Sequence, residues 1–98
     1  MAEIKLELDA KNHGGFNLYD EGTKIGEMAV AIKDGALTVY HTEVDENQAG
    51  KGYAKQLLDT MVAHARGNNL KVIAMCPYVH AQFKRHPEAY SDIWLKQD

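Results

Sequence analysis

The residues best placed to do chemistry are Ala49-Gly50-Lys51-Gly52-Tyr53-Ala54, where two glycines and a lysine open an amphipathic run. Glycines let a backbone approach a ligand closely, and a helix start offers unpaired N–H groups with a partial positive charge. Such a loop can cradle a phosphate, with Lys51 and Lys55 adding charge. It can equally be an ordinary turn whose glycines satisfy dihedral needs. Two familiar phosphate loops are excluded. Lys51 is followed by Gly52 rather than the Ser or Thr of a Walker loop, and the third small residue of a dinucleotide fingerprint would fall at Lys55.

Cys76 is the second candidate, standing directly before Pro77 and a predicted helix start. A thiol at a helix N-cap feels the dipole, which raises its thiolate fraction and suits it to act as a nucleophile or as an acid. The competing reading is a buried cysteine that fills space. His41 alternates with Leu37 and Val39, which predicts that it shares their face and points inward. There it would be a base or proton shuttle, or a hydrogen-bonded core histidine. Glu43 shares that predicted face as an alternative base, or is a solvated strand-end carboxylate. His80, four positions after Cys76, is within a helical turn of the thiol. His64 falls on a helix flank, and His13 and His86 fall in turns. The histidines show no metal-ligand spacing with nearby acids, so no metal site is expected.

These residues need elements to hold them. Ile4, Leu6 and Leu8 alternate with Lys5, Glu7 and Asp9, the period of a half-buried strand, and His13-Gly14-Gly15 is expected to break it. Phe16 and Leu18 make a second short strand, ended by Asp20-Glu21-Gly22. Ile25 to Ile32 makes a third, joined through the Asp34-Gly35 turn to a fourth, Ala36 to Val44. Ala54, Leu57, Leu58, Met61, Val62 and Ala65 then mark one face of a helix, stopped by Gly67-Asn68-Asn69. Leu70 to Met75 reads as a strand covered on both faces, parallel to its neighbour after the crossover. Pro77 to Arg85 is a further helix, and Glu88 to Leu95 a short helix or extended tail. The class is α+β, in one domain over 1–98: a four-strand antiparallel meander, a helix, a parallel strand and a C-terminal helix.

Composition narrows the function. A net charge of -3 argues against a nucleic-acid partner. A single cysteine forbids an internal disulfide, and no apolar run reaches membrane-spanning length. A cytoplasmic location is therefore expected.

Taken in succession, these features resemble the GNAT superfamily of N-acetyltransferases. Its coenzyme motif, Gln/Arg-x-x-Gly-x-Gly/Ala between the fourth strand and the next helix, aligns with Ala49, Gly52 and Ala54. A group of very small GNAT-like proteins is similar also in its His41-Thr42-Glu43-Val44 strand, its Gly-Lys-Gly loop, Cys76, and an acidic-aromatic tail of Glu88, Tyr90 and Trp94. The resemblance implies a GNAT-like mixed sheet and acetyl-coenzyme A as co-substrate. The pyrophosphate would lie on Ala49, Gly50, Lys51, Gly52, Tyr53 and Ala54, and the pantetheine arm along Thr42, Glu43 and Val44. It also implies catalytic roles for Cys76 and His41, an unidentified amine acceptor (small molecule or protein), and the possibility of a homodimer. Lys84-Arg85-His86 would meet the 3′-phosphate, or is simply a basic helix end.

The chain departs from the family in two places. Ala49 stands where Gln or Arg is usual, with Gln48 one residue early, so backbone N–H groups must carry the grip. Only about Ala10 to Gly14 is available where larger members insert two helices that wall the acceptor site. The alternative implied by these departures is a non-catalytic acyl-coenzyme A sensor or scaffold. A thiol-redox protein using Cys76 is a third reading.

Overall fold

Alternation becomes strand and the longer period becomes helix over most of the chain. In the computed structural model, which describes residues 2–97, β1 spans Ala2–Leu8, β2 His13–Asp20, β3 Thr23–Lys33 and β4 Ala36–Val44. Then come α1 (Tyr53–Gly67), β5 (Lys71–Ala74), α2 (Pro77–Arg85) and the single turn α3 (Pro87–Tyr90). The sheet order is β1-β2-β3-β4-β5, antiparallel through β4 and parallel between β4 and β5. This is the expected α+β mixed sheet.

One expected break is absent. His13, Gly14 and Gly15 all lie inside β2. A Cβ at Gly14 would come within 1.9 Å of the Glu7 carbonyl oxygen, and one at Gly15 within 2.8 Å of that of Met28. Close strand approach, not chain reversal, explains these glycines. The reversal occurs earlier, where the Asp9 carboxylate accepts the N–H groups of Lys11 (2.8 Å) and His13 (3.0 Å) and Asn12 adopts φ 61°. Those two bonds hold the Asp9 carboxyl below its ordinary pKa. The connection is a tight turn with no helix in it.

The core lies on one face of the sheet. Phe16, Leu18, Met28, Val30, Leu37 and Val39 meet Leu57, Leu58, Met61, Val62 and Ala65, the buried stripe of α1. Val79 and Phe83 of α2 join the same cluster, with Phe83 stacked on Tyr90 at 4.6 Å. Beyond α3 the chain lies beside β5, where Val72 donates to the Ile93 carbonyl (2.7 Å) and accepts from Leu95 (2.8 Å). Arg66 pins this segment, donating to both Asp92 carboxylate oxygens (2.9 and 3.1 Å) and to the Ala89 carbonyl (2.5 Å). On the opposite sheet face Lys5, Asn17, Glu27 and Glu43 form one row in register. Among the described residues no helix is long and apolar enough to cross a membrane.

Candidate active site

β4 and β5 pair only from Ala36–Lys71 to Val39–Ala74. There the Val39 carbonyl accepts both the Met75 N–H (3.0 Å) and the Cys76 N–H (2.8 Å), which turns the chain out of β5 and into α2. β4 continues to Val44 with no strand on that side, so the two diverge into a cleft.

A β-bulge at Tyr40 sets what faces this cleft. Val39 is opposite Val30, but His41 is opposite Ala29, so β4 carries one extra residue. The insertion inverts the alternation. Thr42 and Val44 fall on the core face, opposite Met28 and Gly26, while His41 and Glu43 turn to the other face. This corrects the expectation that His41 and Glu43 share a face with Leu37 and Val39. The His41 ring is half-exposed, with Nε2 4.0 Å from the Glu27 carboxylate, which also holds Lys24 at 2.6 Å.

The backbone of β4 divides in the same way. Asp45 donates to the Ile25 carbonyl at 2.8 Å. In an antiparallel ladder hydrogen-bonded pairs alternate, so the main-chain groups of Glu43 point to β3 while those of Thr42 and Val44 point into the cleft.

Cys76 closes the inner end. It is the N-cap of α2, with extended φ/ψ of -69° and 126° and Pro77 next to it, as its sequence position predicts. The residue is 1% exposed, and its Sγ lies 3.4 Å from Thr42 Oγ1. A residue of β4 thus meets the N-cap of α2 side chain to side chain. His80 is not the thiol's partner: its ring stands edge-on to Trp94 at 5.7 Å, and only its N–H reaches the Cys76 carbonyl (2.9 Å). His64, on the α1 flank as expected, stacks edge-on against Phe16 at 5.7 Å.

Tyr78, which sequence reasoning did not single out, stands in the first turn of α2. Burial pushes its phenol up, while the Lys55 ammonium of α1 opposes that shift. Tyr78 is therefore near the starts of both helices that flank the cleft. Its position two residues beyond Cys76 was a signal, but its neighbour Lys55 is remote in the chain.

The glycine loop lies between β4 and α1. Gly50 and Gly52 take φ of 83° and 77°, the left-handed region, and a Cβ at either would meet nothing within 4 Å. Dihedral demand explains both glycines, and the space above them is open. Gly52 is the N-cap of α1, whose first internal bond is Gln56 N–H to the Gly52 carbonyl (3.1 Å). The N–H groups of Tyr53, Ala54 and Lys55 precede that bond and have no carbonyl within the helix to meet. Lys51 Nζ donates to Gln48 Oε1 (2.8 Å), and Lys55 pairs with Asp59 (2.8 Å). Both ammonium groups thus have local partners, and the backbone supplies the open donors. Lys84 and Arg85 occupy the last turn of α2, with His86 as its C-cap. Among the described residues no three His, Cys, Asp or Glu gather as a metal site would need.

Known proteins share this fold. A GCN5-like protein from Staphylococcus aureus, solved by NMR, is 32% identical over 98% of this chain and 90% of its own, with a TM-score of 0.69. The ribosomal-protein-alanine N-acetyltransferase from Brucella melitensis shares the fold at 21% identity and a TM-score of 0.63. This chain spans only 65% of that enzyme, which covers 90% of this chain. AAC(6')-Iy, solved with the bisubstrate analogue CoA-S-monomethyl-acetylneamine, shares the fold at 15% identity and a TM-score of 0.54, over 91% of this chain and 66% of its own. No curated protein sequence matches the chain. The GCN5-related N-acetyl-transferase family profile matches residues 15–93, and the chain belongs to that family, the GNAT superfamily.

Proposed function

We propose that this protein transfers the acetyl group of acetyl-coenzyme A to an amine. The observation that carries this reading is the free edge of β4. Past Val39 its Thr42 and Val44 main-chain groups face an open cleft, as an extended pantetheine arm would require. The residues fit the co-substrate. Backbone donors from Gly50 to Ala54, with Lys51 at the rim, would hold the pyrophosphate at the α1 N-terminus, the Ala49 N–H being already given to the Glu46 carbonyl (3.1 Å). Thr42 and Val44 would hold the arm, placing the thioester beside Cys76 and Thr42, whereas the Glu43 main chain is turned to β3.

Attack by a neutral amine on the thioester carbonyl forms the C–N bond and breaks the C–S bond. One proton must leave the amine and one must reach the departing thiolate. His41, on the open face with Glu27, is assigned to the amine proton. Cys76 is assigned to the sulfur side, either returning the proton or carrying the acetyl group itself. The amine is a small molecule or a protein, and the reaction belongs in the cytoplasm.

A second reading is favoured by the tight Asp9–Asn12 turn, which leaves the open face without an acceptor wall. On that reading the protein holds an acyl-coenzyme A as a sensor, without turnover. Calorimetry with acetyl-coenzyme A, then turnover across an amine panel with mass spectrometry of Cys76, separates the two. Product, or an acetyl label lost in Cys76→Ser, supports transfer. Binding without label or turnover supports the sensor. Absence of binding removes both.

A further inference from the structure

Among the described residues, the large apolar side chains most open to solvent are Tyr40 (52%), Met75 (60%) and Leu95 (42%). They fall on three neighbouring segments. Tyr40 and Met75 directly follow the last β4–β5 pair, Val39–Ala74, and Leu95 bonds to Val72 on the far side of β5. Exposed apolar residues scattered singly need no explanation, whereas a set gathered at one end of a sheet marks a contact surface.

Met75 and Leu95 line a groove of about 610 Å³ with His80, Lys84, Trp94 and Lys96, within the size range of ligand sites. Lys96 Nζ stands 4.9 Å from the centre of the Trp94 ring, against which His80 is set edge-on. No carboxylate is among the described lining residues, although the chain as a whole carries a net charge of -3. A cationic lining on an acidic protein selects locally for anions. The floor of the groove also adjoins the cleft, because Met75 and Cys76 both donate to the Val39 carbonyl.

We infer that this groove receives the acceptor, and that the acceptor is an amine whose apolar or aromatic body also carries a carboxylate. The carboxylate meets Lys84 and Lys96, the apolar body lies between Met75, Leu95 and the Trp94 wall, and the amine extends toward the cleft beside Cys76. The inference rests on the acetyl-transfer reading of the cleft, and it names the class of amine.

Trp94 is the chain's single tryptophan, so its fluorescence reports on the groove without any turnover. The test titrates the full chain with para-(aminomethyl)benzoate and, separately, with para-(aminomethyl)benzamide, which differs by the charge. The benzoate should shift Trp94 emission saturably and bind at least about fivefold tighter, the size expected of two solvent-exposed charge pairs. The double variant Lys84→Glu, Lys96→Glu should erase that preference, and Lys96→Glu alone should weaken it while its affinity for acetyl-coenzyme A stays within about twofold. Equal response to the two probes, or an unchanged preference in the double variant, overturns the inference. Acetyl-coenzyme A titrated into the same protein keeps the two readings apart. A charge-dependent Trp94 response without coenzyme binding would support the groove and sink the transferase, and the reverse result would sink the groove alone.

Discussion

Gly52 and the Thr42–Cys76 pair are the residues on which the proposed site turns. At Gly52 the left-handed φ of 77° strains any side chain by about 1–2 kcal/mol, although the space around it is open. Gly52→Val should therefore fold with a modest loss of stability and bind acetyl-coenzyme A at least about tenfold more weakly, because its branched side chain fills the approach to the α1 N–H groups. Calorimetry beside a thermal melt checks this, and unchanged affinity would show that the loop is not the cradle. Thr42→Val keeps volume but removes the hydroxyl that lies 3.4 Å from the thiol. Its melting temperature should move by only a few degrees, while acetyl transfer falls about tenfold or more, as when a positioned donor is lost from a reacting centre. A transfer rate equal to that of the parent would detach Thr42 from the chemistry.

At the scale of elements, the bulge in β4 is the decisive feature. Leu37 and Val39 face the core as odd-numbered residues, and Val44 lies on the same face as an even-numbered one. One inserted residue reconciles the two parities. That mismatch was legible in the sequence, but a single alternation read through His41 passed over it. The rest of the element plan was legible because period and turn chemistry are local. The bounds of β4 and α2 are as expected, whereas Gly14 and Gly15 read as a break because their constraint comes from Glu7 and Met28 on other strands. Deleting Tyr40 should remove the bulge yet leave every other face of β4 as it is, because Val30–Val39 and Ala29–His41 then become consecutive pairs of a regular ladder. Circular dichroism should show a near-parental spectrum for the deletion as well as for Tyr40→Ala. Loss of structure in the deletion alone would mean that the sheet needs the local twist that the bulge adds.

For the molecule as a whole, polar ties at both ends of the chain set the response to acid. The Tyr19 hydroxyl and the Asn17 amide hold the Glu7 carboxyl low, two backbone N–H groups do the same for Asp9, and the Arg66 guanidinium does so for Asp92. A carboxyl lowered on folding stabilises the native state above its unfolded pKa of about 4, and that contribution disappears as pH falls through the lower folded value. The urea midpoint should therefore stay nearly flat above about pH 5 and drop below pH 4. The drop should be shallower in Glu7→Gln and Asp92→Asn, and a parental slope in both would place the acid sensitivity elsewhere.

By itself the sequence determined the order of elements, the left-handed glycine loop at the start of α1, and the thiol at the N-cap of α2. Each follows from dihedral preference or periodicity within a few residues. Only the tertiary structure decided that His41 faces away from the thiol and that Thr42 meets Cys76. It also brought Tyr78 near Lys55 and gathered Met75, Leu95 and Trp94 around one groove. Those relations depend on strand register and on which distant segments share an edge of the sheet, and neither is written in the local pattern of any one segment.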